Sequence, residues 1–314
     1  MDDVDALVEV NRAIAAHDHP DWVDTAEETR EELGHSYLDL DLDSLAAVTD
    51  RGEIVAWGLV ICPPTQETLV RSILLGGVAP AHRGRGIGRA LLAWQHARGL
   101  QQLAGSSRTL PGWIVVSADD RAPASGSTIR RAGFVPHRWF QSLSRTVAEP
   151  MPAGAVAPEV GGGIRIVPYA PEHSEQAHAA RDAAFRGHGS SQPMSDEQWE
   201  SMTTMSSAAP AFSFVALDPS NRVVGLLLTL VTEESWAEQG FSSAYVWVIG
   251  VEPDARHQGA ARAMLAAHLQ ALSAAGIERS VLDVATDAPG EGIELFTGLG
   301  YAPQSISVQY VQVH

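Results

Sequence analysis

Lysine is missing altogether: every one of the 21 basic residues in the 314-residue sequence is arginine. That absence excludes the nucleotide-triphosphate loop G-x-x-x-x-G-K-[ST], whose lysine reaches the terminal phosphates. Cysteine is almost missing as well. Cys62 stands alone, so the chain can close no disulfide on itself and build no cysteine-rich zinc site, and a reducing cytoplasm is the natural setting. Positive charge is scarce: 38 acidic residues leave a net charge of −17, the reverse of the basic footprint a nucleic-acid binder needs. No apolar run approaches the roughly 18 residues that would cross a bilayer. The opening MDDVDALVEV is acidic where a secretory signal is basic, so neither nucleic acid nor membrane is expected as a partner. There is no G-x-S-x-G elbow for a nucleophile and no His/Asp/Glu spacing for a metal.

What is present is organised around one stretch, GGVAPAHRGRGIGRALL, from Gly76 to Leu92. An apolar run (Ile73, Leu74, Leu75) ends at Gly76 and Gly77, a turn rich in glycine and arginine follows, and a helical apolar pattern (Ile87, Ala90, Leu91, Trp94) begins inside the turn. This predicts a strand, a loop with bare backbone, and a helix whose first N–H groups have no partner within the helix. Bare amides at the positive end of a helix dipole attract anions. Gly84, Gly86 and Gly88 let an anion approach, and Arg83, Arg85 and Arg89 add charge. The dinucleotide fingerprint G-x-G-x-x-G fails, because Arg89 or Leu91 stands where its third glycine belongs. What remains is R-x-x-G-x-G (Arg83, Gly86, Gly88) after a strand ending V-x-P (Val78, Pro80).

A second copy stands downstream, from Ile249, Gly250 and Val251 through Pro253, Arg256, His257, Gln258, Gly259, Ala260 and Ala261 to Arg262. Pro80 and Pro253, Arg83 and Arg256, Gly86 and Gly259, and Leu92 and Leu265 are all 173 positions apart. Each copy leads to a G-[FY]-x-P ending, Gly133 to Pro136 and Gly300 to Pro303, 167 apart. A fixed order of elements at so long a spacing is a duplicated domain; a solenoid repeats about every 20–50 residues. Length also favours two domains. We expect one over 1–148, a Pro/Ala/Gly-rich linker over 149–163 and one over 164–314, with the first lacking its opening strand.

The doubled R-x-x-G-x-[GA] loop resembles the acyl-coenzyme A pyrophosphate loop of the GNAT superfamily of N-acyltransferases. The resemblance implies an α/β fold with a mixed sheet (α+β in arrangement), present as two tandem GNAT domains. It implies acetyl-CoA as co-substrate, with its pyrophosphate on residues 83–89 or 256–262 and its pantetheine arm along Gly76, Gly77 and Val78 or Ile249 to Val251. It also implies a small-molecule amine as acceptor, attacked directly in a ternary complex, by a monomer or homodimer without a metal.

The catalytic positions depart from the family pattern. Counting back from the proline puts the usual glutamate base at Ser72 and Tyr245, and neither is a carboxylate. The usual tyrosine acid becomes Ile129 and Phe296, which have no proton to give. Tyr245 and Asp283 are the candidate catalytic pair, with Glu233, Glu234, Asp119 and Asp120 behind them. Two alternatives stay open: a catalytically reduced acyl-CoA-binding protein, or an enzyme of the mycothiol synthase type.

Overall fold

A computed structural model describes residues 3–18, 25–152, 160–187, 191–287 and 293–314. The chain forms two compact units. The first comprises Met1–Phe140, Asp287–Pro289 and Ser305–His314; the second comprises Gln141–Thr286 and Gly290–Gln304.

Unit 1 opens with helices α1 (Val4–Asp18), α2 (Ala26–Leu33) and the single turn α3 (Leu40–Asp43). Thr25 begins α2 because its hydroxyl accepts from the Glu28 amide while Glu28 reaches back to the Thr25 amide, the reciprocal cap its sequence spells. Strands β1 (Ser44–Val48) and β3 (Val70–Val78) each run antiparallel to β2 (Ile54–Ile61) between them. Helix α4 (Ile87–Gly105) returns the chain to β4 (Gly112–Asp119), parallel to β3. Helix α5 (Pro123–Arg131) then leads into β5 (Val135–Thr146). Val60, Leu74, Leu92, Ile114, Ile129 and Phe134 bury one face of this sheet against α4 and α5.

Unit 2 repeats the plan with strand β6 (Arg165–Pro168), helices α6 (Ser174–Phe185) and α7 (Asp196–Thr204), strands β7 (Phe214–Leu217) and β8 (Val223–Leu230), and the short helix α8 (Trp236–Gln239). Strand β9 (Ser243–Val251) is antiparallel to β8 and parallel to β10 (Arg279–Thr286), and α9 (Ala260–Ala275) joins the two. Short helix α10 (Glu294–Thr297) and strand β11 (Ala302–Val313) complete the chain. The sheet has two cores. Met264, Leu265 and Leu269 of α9 pack with Leu227 and Val246, while Ala177, Ala180, Trp199 and Met202 of α6 and α7 pack with Val215, Leu226 and Val248 on the other face. Truncating one of the buried leucines to alanine costs about 2–5 kcal/mol.

The terminal strands do not follow the sequence boundary at 148 and 149. Residues 307–313 of β11 pair antiparallel with Trp113 to Asp119 of β4 and belong to unit 1. Residues 141–152 belong to unit 2, where Leu143 enters the α9-side core and the buried Arg145 donates to the Leu299 and Glu149 carbonyls. A strand settles where an edge offers unpaired N–H and C=O groups, and composition carries no record of which edge that is. Near the C-terminus the described helix is Glu294–Thr297, and residues 288–292 before it lie outside the described residues; so do residues 153–159 of the expected linker over 149–163.

Candidate active site

The two Gly-rich loops share one construction. Each strand ends in a proline-led turn, Pro80–His82 or Pro253–Ala255, and each following helix starts at a left-handed glycine: Gly86 at φ 86° and Gly259 at φ 87°. Ala90 N–H is the amide that bonds back to Gly86, and Ala263 N–H the one that bonds to Gly259. The amides of residues 87–89 and 260–262 therefore have no partner within their helices, and no side chain caps either. Thr25 and Ser195 cap α2 and α7, while α5 and α6 also start without a side-chain cap; what sets α4 and α9 apart among the described helices is the left-handed glycine at the N-cap. Neither first turn holds an acidic residue. The arrangement fits a diphosphate.

The loop arginines are not equally available to such a ligand. Arg83 donates from Nε to the Val78 carbonyl at 2.9 Å and grips Asp18 with both terminal nitrogens, at 2.8 and 2.7 Å. Burial works upward on the Asp18 carboxyl, but the bonds from Arg83 and His17 outweigh it and hold the group below the usual carboxylate range. Arg256 repeats the strand contact, Nε to the Val251 carbonyl at 3.1 Å, and turns its second arm to the Ala184 carbonyl at the C-terminus of α6. Both guanidinium groups thus brace the loop from behind. Arg85 bonds the Ala81 carbonyl at 3.3 Å and is exposed, as is Arg89. His257 holds φ 61° where the first copy has Gly84 at φ 75°, a conformation unfavourable for a side chain. Gln258 lends its carbonyl to the Gly161 amide, and Arg262 lies in the first turn of α9 beside Ala260 and Ala261.

The strands feeding the loops part company with their neighbours. Strands β3 and β4 pair from Val70 opposite Gly112 to Leu74 opposite Val116, then separate, although both run on to Val78 and Asp119. Strands β9 and β10 pair from Ser243 opposite Arg279 to Val246 opposite Leu282, then separate likewise. Gly76 to Val78 and Ile249 to Val251 keep their hydrogen-bonded neighbours β2 and β8 on one side only. Each parting leaves a wedge with a free backbone edge, the shape an extended chain can enter as an added strand. The glycines here also have a packing reason. A Cβ on Gly77 would come within 2.8 Å of Ile14 on α1, and one on Gly250 within 3.0 Å of Ala184 on α6. Gly76, at φ 130°, would press a Cβ into the Trp57 carbonyl.

One difference between the copies changes what lines the wedge. Strand β3 pairs with β2 without interruption, but β9 slips by one residue against β8 between Val246 and Val248. Trp247 is the extra residue, a β-bulge. Its effect is visible in the cores: Val246 joins the α9 side and Val248, two residues on, joins the α6/α7 side, which an unbroken strand forbids because its side chains alternate. The bulge corrects the count back from the proline. Ser72 faces α4, fully buried, with its hydroxyl 2.9 Å from Gln102 Oε1. Tyr245 follows Ala244, which packs with Leu272 on the α9 side, and so points to the opposite face. The two residues do not occupy the same slot.

At that face Tyr245 donates from its hydroxyl to Asp283 Oδ2 at 2.9 Å. Burial, then the neighbouring carboxylate, push the phenol well above its ordinary range, so it stays protonated. Asp283 lies one residue past the last β9–β10 pair, where the strands begin to separate, and is exposed. The structure thus brings the two candidate catalytic residues together. Asp119 is occupied in a different way, tied to the Arg121 side chain at 2.9 and 3.0 Å and to its amide at 2.8 Å. Ile129 and Phe296 are buried in their cores.

Residues 175–301 match the acetyltransferase (GNAT) family. Relatives of the chain include the mycothiol acetyltransferases of Segniliparus rotundus and Nocardia farcinica. Each is 28% identical, over 75% of this chain and 83% of the first relative, and over 74% of this chain and 72% of the second. Among solved structures, a GCN5-related N-acetyltransferase from Sphaerobacter thermophilus superposes with a TM-score of 0.72 at 21% identity, covering 99% of this chain and 91% of that one. A tandem GNAT protein from the clavulanic acid biosynthesis pathway gives 0.65 at 15% identity, covering 99% and 95%; these likenesses concern the fold.

Proposed function

We propose that unit 2 moves an acetyl group from acetyl-CoA to the amine of a small molecule in a ternary complex, with Asp283 as the base. The observation that carries this reading is the bulge at Trp247 beside the Tyr245–Asp283 pair, at the mouth of a wedge that leads to open helix amides. The amides of residues 260–262 and the edge of Ile249 to Val251 would hold the coenzyme, which supplies an acyl thioester. The bulged residue has no cross-strand Cα partner, and its N–H is the group this reading assigns to a developing oxyanion. Asp283 removes the proton that the amine must lose before it attacks. Tyr245, kept protonated, holds the carboxylate in place. No enzyme nucleophile is required.

Unit 1 supports a binding role instead. It has the open amides of residues 87–89, but β3 has no bulge and Ser72 is sealed against α4. The mycothiol acetyltransferase relatives make the amine-bearing mycothiol precursor the first acceptor to try. Either a monomer or a homodimer in the cytoplasm suits the chemistry, since every group invoked lies in one unit. The test is free-thiol release from acetyl-CoA with that precursor and a panel of small amines, beside calorimetry with acetyl-CoA alone. Turnover together with heat supports the reading. Heat without turnover across the panel would replace it with a purely coenzyme-binding protein, and no heat at all would remove the site.

A further inference from the structure

Unit 2 contains a buried polar chain that the acyl-transfer reading leaves unused. Tyr301 Oη lies 2.8 Å from Ser280 Oγ, which lies 2.9 Å from His268 Nε2; His268 Nδ1 lies 2.9 Å from the Phe212 carbonyl oxygen. His268 and Ser280 have no exposed surface, and Tyr301 has 3%. The carbonyl fixes the direction of the whole chain. It can only accept, so Nδ1 carries the ring hydrogen; Nε2 then accepts from Ser280, and Ser280 accepts from Tyr301. Burial lowers His268 to about 4 and raises Tyr301 to about 12. Neither changes charge at ordinary pH, and the order of donors is constant.

The chain joins three parts of the site. His268 stands on α9, whose first turn carries the open amides; Ser280 stands on β10, three residues before Asp283; Tyr301 belongs to the turn that enters β11. The other copy is wired differently. There the residue at the offset of His268 is Gln95, which bonds the Leu59 and Leu75 carbonyls at 3.2 and 2.6 Å and so ties α4 to β2 and β3. The counterpart of Tyr301 is Phe134, packed in an apolar cluster. Among the described residues, only in unit 2 does the helix bond its side chain to the strand that carries a carboxylate at the wedge.

We propose that the Tyr301–Ser280–His268 chain positions the transfer reaction, holding β10, and with it Asp283, at a set distance from the amide cradle of α9. This rests on the reading of Asp283 as the base. The three residues touch no substrate; they act through the strand. A row of directional hydrogen bonds resists the sliding that an apolar contact allows, and a misplacement of about 1 Å costs up to about a hundredfold in rate.

The test uses the full-length protein with Tyr301→Phe, which installs the residue of the other copy, and His268→Gln as a second variant, each assayed where circular dichroism shows a folded chain. The expected result is a fall in kcat of about tenfold to a hundredfold, with the Kd for acetyl-CoA within about twofold, since the amide cradle is untouched. In an Asp283→Asn background Tyr301→Phe should cost nothing further, because its effect passes through that carboxylate. A folded Tyr301→Phe with wild-type kcat beside a disabled Asp283→Asn overturns the positioning role alone, as does an equal loss in both backgrounds. Full turnover by Asp283→Asn itself overturns the choice of base.

Discussion

In unit 2 the strand that feeds the Gly-rich loop carries one residue more against its neighbour than the matching strand in unit 1. From that single slip follow Tyr245 on the open face, Asp283 within its reach, and Trp247 without a partner. In unit 1 the uninterrupted pairing turns Ser72 into the core, and Arg83 is bound to Asp18. The loops themselves hardly differ: both have a left-handed glycine, a proline turn, open amides and an arginine bracing the strand end. On the proposed reading, anion binding and proton transfer are separable properties of the same scaffold. The first comes from backbone that any copy of the motif retains, while the second comes from two side chains and a register.

The largest effect that could break this comparison belongs to Asp283. Asp283→Asn should lower kcat/KM by about a hundredfold or more, the usual worth of a positioned general base, while Ser72→Ala leaves it unchanged; steady-state thiol release measures both. Acid should separate the copies next. His268 has a folded pKa of about 4 against 6.5 in the unfolded chain, so its contribution is constant above 6.5. As pH falls below that value the unfolded chain takes the proton first. Stability then declines by up to about 3 kcal/mol, levelling below pH 4. Urea titrations across that window should show the decline in the wild type and lose this part of it in His268→Gln, whose residue matches Gln95 of the other copy.

A smaller effect sharpens the shared feature. Gly259→Asp puts a carboxylate at the head of α9, and Gly86→Asp does so at α4; each should weaken acetyl-CoA at its own loop by about tenfold. Calorimetric stoichiometry shows which loop was lost. Smallest of all is His257→Gly, which removes a side chain from a left-handed position. It should gain no more than about 1 kcal/mol, since the relief of strain is offset by a freer unfolded chain, and Gly84→His should reverse the sign in unit 1. Chemical denaturation detects both.

Much of this molecule could be read before its structure. The repeat offsets located both loops, and the Thr25 and Ser195 caps, the turn at Asp50 to Gly52 and the end of α9 at Gly276 all stand where their local chemistry puts them. Those features depend on a few adjacent residues. What stayed hidden depends on residues far apart. The bulge at Trp247 exists only relative to β8, so counting along one strand placed Tyr245 opposite Ser72 in error. The grip of Asp18 on Arg83 joins residues 65 positions apart, which no count along one loop could show. Only the pairing reveals that β11 lies along β4.

That last pairing has a consequence for biosynthesis. Residues 305–314 supply a strand to the unit that begins the chain. On a ribosome, unit 1 must therefore wait with the edge of β4 bare while roughly two hundred further residues emerge, a long exposure for a nascent polypeptide. A product released early would lack the closing strand of its oldest part. Proteolysis of stalled nascent chains should then attack the first unit, even though residues 1–140, the bulk of it, were made long before.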